Sequence, residues 1–177
     1  MSPLDIINKY CKEEKLQHIL LTHSRAVANK ALEIARKHPE LNADETFIEE
    51  AALLHDIGCV KVNAPAIACY GTEPYICHGI LGAEILRSER LPRHALVCER
   101  HTGTGLTLLQ IIEQKLPLPH QEMQPISIEE QIICFADKFF SKTRLETEKT
   151  VEQARRSLEK FGVEGLTKFD AWCEKFL

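Results

Sequence analysis

The chain has 177 residues, 44% of them hydrophobic and 27% charged, with a net charge of -4. That length suffices for one self-sufficient core, and the composition is ordinary for a globular domain. The acidic balance excludes a general nucleic-acid binder, which needs a basic face to neutralise phosphates, but leaves room for a small anion held by local positive charge.

The N-terminus, MSPLDIINKYCKEEK, is charged within its first five residues and lacks the apolar stretch of a signal peptide. No run approaches the roughly 20 apolar residues that span a bilayer. Seven cysteines, at 11, 59, 69, 77, 98, 134 and 173, form no CxxC pair. That argues for reduced thiols rather than a disulfide framework or a zinc ribbon. The expectation is a soluble, cytoplasmic protein with no membrane partner.

Ser2, Pro3 and Asp5 make a helix start: a capping hydroxyl, a proline in the first turn and an acid at the positive end of the dipole. A longer helix is expected from about Leu20 to His38, stopped by Pro39. Leu20, Val27, Ala31 and Ile34 form its apolar stripe, and His23 falls on that stripe. Asn42 with Glu45 reads as the cap of a third helix carrying Phe47, Ile48, Ala51, Ala52 and Leu54. It is expected to reach His55 and Asp56 and to end near Gly58.

Residues 59–75 show no sustained period. A helix over about 76–90 turns Ile80, Leu81, Ile85 and Leu86 inward, and Leu91-Pro92 opens another that breaks at HTGTG after His101. LTLLQIIEQKL is helical in pattern, and 116–126, with three prolines, is a loop. SIEE at 127–130 is a capping box opening an apolar helix through Phe140. Two last helices, separated by Gly162, carry Val151, Ala154, Leu158 and Phe161, then Val163, Leu166, Phe169, Trp172 and Phe176. Nothing alternates with period two, nothing repeats and no linker divides the chain. The expected fold class is all-α, a single domain over 1–177.

Six polar side chains fall on inward faces. His55 follows Ala51 by four residues, Asp56 follows Ala52 by four, and Asp137 follows Ile133 by four. His23 lies on the stripe of its helix. His78 precedes Gly82 and Leu86 by four and eight, and His101 comes one turn after Val97 and Cys98. One histidine on an apolar face is most often a core residue with a hydrogen-bond partner. An interior aspartate is costlier, because unpaired it takes up a proton or destabilises the fold. Six such groups on five helices make independent accidents a poor explanation. One or two divalent metals would stabilise them together, since imidazole nitrogens and carboxylate oxygens ligate Zn, Fe, Mn and similar ions. His94 is the control: seven residues before His101, about 10 Å along the axis, it cannot reach the same ion.

His23, the HD pair at 55 and 56, and Asp137 resemble the H…HD…D signature of the HD-domain superfamily of metal-dependent phosphohydrolases. LLHDIG at 53–58 is similar to its HDIG branch. HG at 78–79 and HTG at 101–103 resemble the longer H…HD…H…H…D pattern of members that bind two metals, and ADK at 136–138 is similar to the HD-type symmetrical diadenosine-tetraphosphate hydrolases. The match covers 20 to about 145, and the C-terminal helices, 146–177, carry no family motif. The GYP triplet of the cyclic-dinucleotide enzymes is absent, and HDIGK is HDIGCVK here, which counts against cyclic-dinucleotide cleavage.

The resemblance implies a helical HD bundle. His23, His55, Asp56 and Asp137 would hold a first ion, and Asp56 would bridge to a second completed by His78, His101 and solvent. The ions would be transition metals (Fe, Mn, Zn, Co or Ni) activating a water for attack on phosphorus. Asp56, Lys61 and Lys138 are the residues assigned to catalysis, Lys61 and Lys138 being preferred to Arg25 and Arg100 as phosphate contacts. Thr102 and Thr104 can hydrogen-bond phosphate or serve the turn. Gly79 and Gly103 are expected to leave room for a ligand beside the two histidines. The implied substrate is a small phosphorylated molecule of nucleotide type, and a homodimer is left open. A nucleotide-binding sensor without catalysis and a diiron-type oxygenase are the alternatives.

Overall fold

The computed structural model describes residues 1–177. Nine α-helices follow one another: α1 (Pro3–Tyr10), α2 (Glu14–Lys37), α3 (Glu45–Leu54), α4 (His78–Ser88), α5 (Pro92–Arg100), α6 (Leu108–Glu113), α7 (Ile128–Asp137), α8 (Val151–Ser157) and α9 (Val163–Phe176). The all-α class holds, with one small addition inside the segment expected to be irregular. β1 (Asn63–Ala64) and β2 (Cys69–Tyr70) pair antiparallel, Asn63 opposite Tyr70 and Ala64 opposite Cys69.

Side-chain caps explain most helix starts. Ser2 with Asp5 and Ser127 with Glu130 form the expected capping boxes, and Thr107 with Gln110 and Thr150 with Gln153 form two more at α6 and α8. Several boundaries differ from the sequence reading, four of them in helices that carry or lead into site residues. α2 begins at Glu14 rather than near Leu20, because Leu16 and Ile19 extend its buried stripe by more than a turn. The cap of α3 is Asp44, whose side chain accepts from Phe47 N; Asn42 instead closes the preceding turn in the left-handed region, at φ 49. α3 stops at Leu54, and Ile57–Lys61 is a 3₁₀ turn. α7 ends at Asp137, after which Lys138, Phe139 and Phe140 donate three residues back, to Phe135 O, Ala136 O and Asp137 O.

The interior has two main apolar clusters. One gathers α1, the first turns of α2, α4 and the 57–69 segment around Ile6, Ile7, Leu20, Leu54 and Leu86. The other gathers the rest of α2 with α3, α7, α8 and α9 around Val27, Ile48, Phe135 and Phe169. Helices cross from one to the other. In α2, Leu20 belongs to the first and Val27 to the second, with His23 between them. In α3, Ala51 and Ala52 belong to the second and Leu54 to the first, just ahead of His55. In α5, Val97 and Cys98 divide the same way ahead of His101. The polar residues therefore stand along the seam between two cores.

Two features fix the parts of this seam. Phe135 on α7 packs against Phe139, Phe169, Phe176 and Trp172, with ring centroids 5.0 to 6.3 Å away. Truncating such a ring costs about 3–5 kcal/mol, so α9 clamps the rotation of α7 and with it the placement of Asp137. Gly58 does the second job. A Cβ there would lie 1.9 Å from the carbonyl oxygen of His78. The glycine of HDIG thus lets the turn after Asp56 meet the start of α4 backbone to backbone.

Candidate metal centre

Three of the four histidines are oriented by the same local device. Nδ1 of His55 lies 2.6 Å from Ala52 O, Nδ1 of His78 lies 2.7 Å from Tyr75 O, and Nδ1 of His101 lies 2.7 Å from Cys98 O. Each carbonyl is three residues back, and a carbonyl can only accept. Nδ1 therefore carries the proton, and in the neutral ring Nε2 presents a lone pair. These Nε2 atoms converge: those of His78 and His101 are 2.9 Å apart, too close for two lone pairs with nothing between them.

The carboxylates complete the arrangement. Asp56 is 1% exposed, and its two oxygens divide the set. Oδ2 lies 3.2 Å from His23 Nε2 and 3.1 Å from His55 Nε2, while Oδ1 lies 3.4 Å from His78 Nε2 and 3.3 Å from His101 Nε2. Neither oxygen makes a hydrogen bond of acceptable geometry. Asp137 Oδ1 closes the first group at 2.9 Å from His23 Nε2 and 3.3 Å from His55 Nε2. Two sets of donor atoms result, His23/His55/Asp56/Asp137 and Asp56/His78/His101, each within the span of one ion and sharing Asp56. A buried concentration of acceptors without matching donors calls for positive charge, so the residues fit divalent metal ions.

Protein groups supply part of that charge. Lys142 Nζ lies 2.7 Å from Asp56 Oδ2 and donates to the Tyr75 hydroxyl at 3.1 Å. Lys138 Nζ donates to Asp137 Oδ2 and to His101 O, both at 2.8 Å. Burial opposes the charge on Asp56, but His55 and Lys142 outweigh it and hold the carboxyl well below its ordinary range. Burial likewise opposes Asp137, and Lys138 and His23 keep it low. In the metal-free protein His55 is pushed up to about 10, Asp56 and Asp137 outweighing its burial, whereas burial and the His101 ring bring His78 down to about 3. One imidazole among acids takes the proton, and one beside another imidazole gives it up.

The site opens into a cavity of about 510 Å³ that His23, His78, His101 and Asp137 help to line. The structure brings together all six residues expected as ligands. Of the two expected lysines, Lys138 lines the cavity, but Lys61 is exposed on the 3₁₀ turn and is absent from its lining. Arg25 is exposed on α2, and Arg100 pairs with Glu130 at 2.9 Å. Thr102 reaches the cavity and Thr104 is buried. The cation set against Asp56 is Lys142, which sequence reasoning missed. It sits in FFSKTRLE beyond the end of α7, where no periodicity says which way a side chain points. Gly79 makes room for protein rather than ligand, since a Cβ there would lie 2.6 Å from Cys98 O, where α4 meets α5. Gly103 takes a left-handed φ of 58° against the Phe161 ring.

The HD domain family model matches residues 20–141, which include all six residues. The chain belongs to the HD domain family. An uncharacterized protein of Methanocaldococcus jannaschii is 34% identical over 164 residues, 89% of this HD chain and 85% of that protein. A tRNA (cytidine(56)-2'-O)-methyltransferase of Thermoplasma volcanium is 32% identical over 176 residues, 98% of this chain but 45% of the relative. The chain thus spans just under half the length of that protein, whose named activity is its own. Among solved structures, the HD domain of the L. monocytogenes phosphodiesterase PgpH shares the fold, with a TM-score of 0.57 at 19% identity over 94% of this chain and 92% of that one. The same domain in complex with cyclic-di-AMP gives 0.56 at 18% identity, over 96% and 92%. No helix of this HD domain is long and apolar enough to cross a membrane.

Proposed function

We propose that this HD domain is a metal-dependent phosphohydrolase that cleaves a phosphoester or phosphoanhydride bond of a small nucleotide-like substrate. The observation that carries the reading is the divided Asp56 carboxylate, one oxygen toward His23 and His55 and the other toward His78 and His101, at the edge of an open, lysine-lined cavity. The donor set suits two ions, held by His23, His55, Asp56 and Asp137 and by Asp56, His78 and His101. Bound there, divalent transition ions would supply Lewis acidity, acidifying a water and neutralising charge on the phosphoryl group.

The chain's own residues have distinct tasks. The carbonyls of Ala52, Tyr75 and Cys98 hold the imidazoles in the tautomer that offers Nε2. Asp56 ties the two halves together. Lys138 stays protonated, Asp137 outweighing its burial, and so does Lys142 beside Asp56. Both ammoniums therefore offer positive charge toward the phosphoryl oxygens. Tyr75, its ring stacked on His78 at 4.6 Å, buttresses that imidazole and orients Lys142 through its hydroxyl. The nucleotide class is supported by the shared fold with a domain solved in complex with cyclic-di-AMP.

The test is a screen of nucleotides, dinucleoside polyphosphates and simple phosphoesters with several metals, following phosphate release and oxygen consumption in parallel. Metal-dependent phosphate release is expected. Oxygen uptake without it would make the domain an oxygenase, and tight nucleotide binding with neither would make it a sensor.

A further inference from the structure

The cavity contains a second charged region that the ligand geometry leaves unused. Lys138 and Lys142 are each paired with a carboxylate, Asp137 and Asp56. Lys149 and Lys160 line the same cavity and make no salt bridge and no side-chain hydrogen bond. Lys160 holds its ammonium 5.2 Å from the centre of the Phe161 ring. Asp137, already taken by Lys138, is the only carboxylate lining the cavity. Burial, aided by the Lys138 and Lys160 ammoniums, pushes Lys149 below the ordinary lysine value against the pull of Asp137. Two cations lining one cavity without a paired anion favour an incoming anion of more than one charge.

Both lysines lie beyond residue 141, where the family match ends. Lys149 is held by its own backbone, which donates to Phe139 O at 2.8 Å, just before the Thr150 cap of α8. Lys160 sits in the 3₁₀ turn that follows α8. Ile67, Phe140, Leu158 and Phe161 add apolar surface to the cavity.

We propose that Lys149 and Lys160 form a distal anion subsite, which selects substrates carrying at least one further phosphate besides the group presented to the His/Asp cluster. The subsite takes a phosphate chain at its non-reacting end. The assignment of which end reacts rests on the phosphohydrolase reading; the binding itself does not.

The decisive experiment is calorimetric titration of inorganic tripolyphosphate and orthophosphate into the wild-type protein, its metal content fixed by elemental analysis. The same titrations are run on Lys149→Ala, Lys160→Ala, the double variant and a double Lys→Arg variant. Hydrogen bonds to charged groups and exposed ion pairs together set the scale. Loss of half-buried Lys149 should weaken tripolyphosphate about tenfold and loss of exposed Lys160 about threefold, with orthophosphate changed less than twofold and the arginine pair retaining most of the affinity. Neither side chain has a salt bridge or hydrogen bond to lose, and Lys160 gives up only an exposed contact with the Phe161 ring, so thermal melts should stay close to wild type. With a hydrolysed substrate in hand, the double variant should raise KM for a triphosphate and leave kcat within about twofold. Tripolyphosphate bound as tightly by the double variant as by wild type overturns the subsite. Lysine-dependent binding without phosphate release from any ester leaves the subsite standing and overturns the hydrolase reading instead.

Discussion

The His/Asp cluster and the lysines of the cavity act on one space, yet they are held in different ways. The four histidines and Asp56 are at most 5% exposed, on helices or in the turn that directly follows one, and three of the imidazoles are pinned by the carbonyl three residues back. The lysines come from outside the helices, Lys138, Lys142 and Lys149 between α7 and α8 and Lys160 in the 3₁₀ turn after α8. Thr143 and Arg144, next to Lys142, are exposed. The cluster is thus fixed by the core itself, and altering it disturbs folding as well as chemistry. Lys149 and Lys160 make no salt bridge and no side-chain hydrogen bond, so single substitutions there can redirect binding while the scaffold survives.

The largest effects should come from the cluster. Asp56→Ala or His55→Ala should abolish metal-dependent phosphate release and lower stability, because each leaves buried groups without compensation. In the Asp56 variant the Lys142 ammonium loses its carboxylate, a change worth about 3 kcal/mol for a buried pair broken on one side. Denaturant melts and turnover measured together check both halves. Turnover within tenfold of wild type would remove these residues from the centre of the reaction.

The next step divides the cluster itself. His78→Ala and His101→Ala should each lower metal content by about one equivalent, leave the first ion bound and cut turnover sharply. Elemental analysis beside wild type reads the stoichiometry. Unchanged metal content in both variants would mean a single ion at His23, His55, Asp56 and Asp137, with His78 and His101 as buried helix histidines.

Lys142→Met probes where the two regions touch. It removes the ammonium 2.7 Å from Asp56 but keeps the aliphatic stem. The melting temperature should fall further in metal-free protein than in metal-loaded protein, since a bound ion replaces the lost charge on Asp56. Equal losses in both would show that the two cations do not substitute for one another.

Stripping the metal should also reverse the response to pH. His55, raised from 6.5 to about 10, contributes stability that is fully present below pH 6.5 and lost as pH rises toward 10. His78, lowered to about 3, removes stability as pH falls from 6.5 toward 3. The metal-free protein should therefore melt lower at pH 9 than at pH 6.5. The metal-loaded protein should hold or gain over the same interval, because ligand deprotonation favours binding. Melts with and without a chelator at the two pH values decide the sign.

What could be read in advance follows the same division. His23, His55, Asp56, His78, His101 and Asp137 were legible because helical period places a polar residue on an apolar face, and burial makes that placement expensive. Lys142, Lys149 and Lys160 were not, because a loop lysine has no period and is ordinarily solvated. Lys61 illustrates the error this invites: closeness to HDIG in sequence put it among the phosphate contacts, while the 3₁₀ turn directs it to solvent. Gly79 was legible as a residue where small size matters, but not what it approaches, since the Cys98 carbonyl belongs to another helix. The start of α2 was hidden for a simpler reason, as Glu13 caps it without the usual serine, threonine, aspartate or asparagine.

The smallest effect is expected at His94, and it tests the helix-face argument from the opposite side. His94 shares α5 with Val97 and Cys98, yet its Nε2 meets Glu50 at 3.1 Å and its ring stands edge-on to Phe47 at 4.9 Å. The Glu50 side chain is 46% exposed, so solvent screens the pair and its loss is worth well under 1 kcal/mol. The aromatic contact adds about as much again. His94→Ala should therefore shift the melt slightly and leave metal content and turnover at wild-type levels. A loss of metal comparable to that of His101→Ala would mean that α5 presents a different face to the cluster. The inward assignment of His101 would then fall with it.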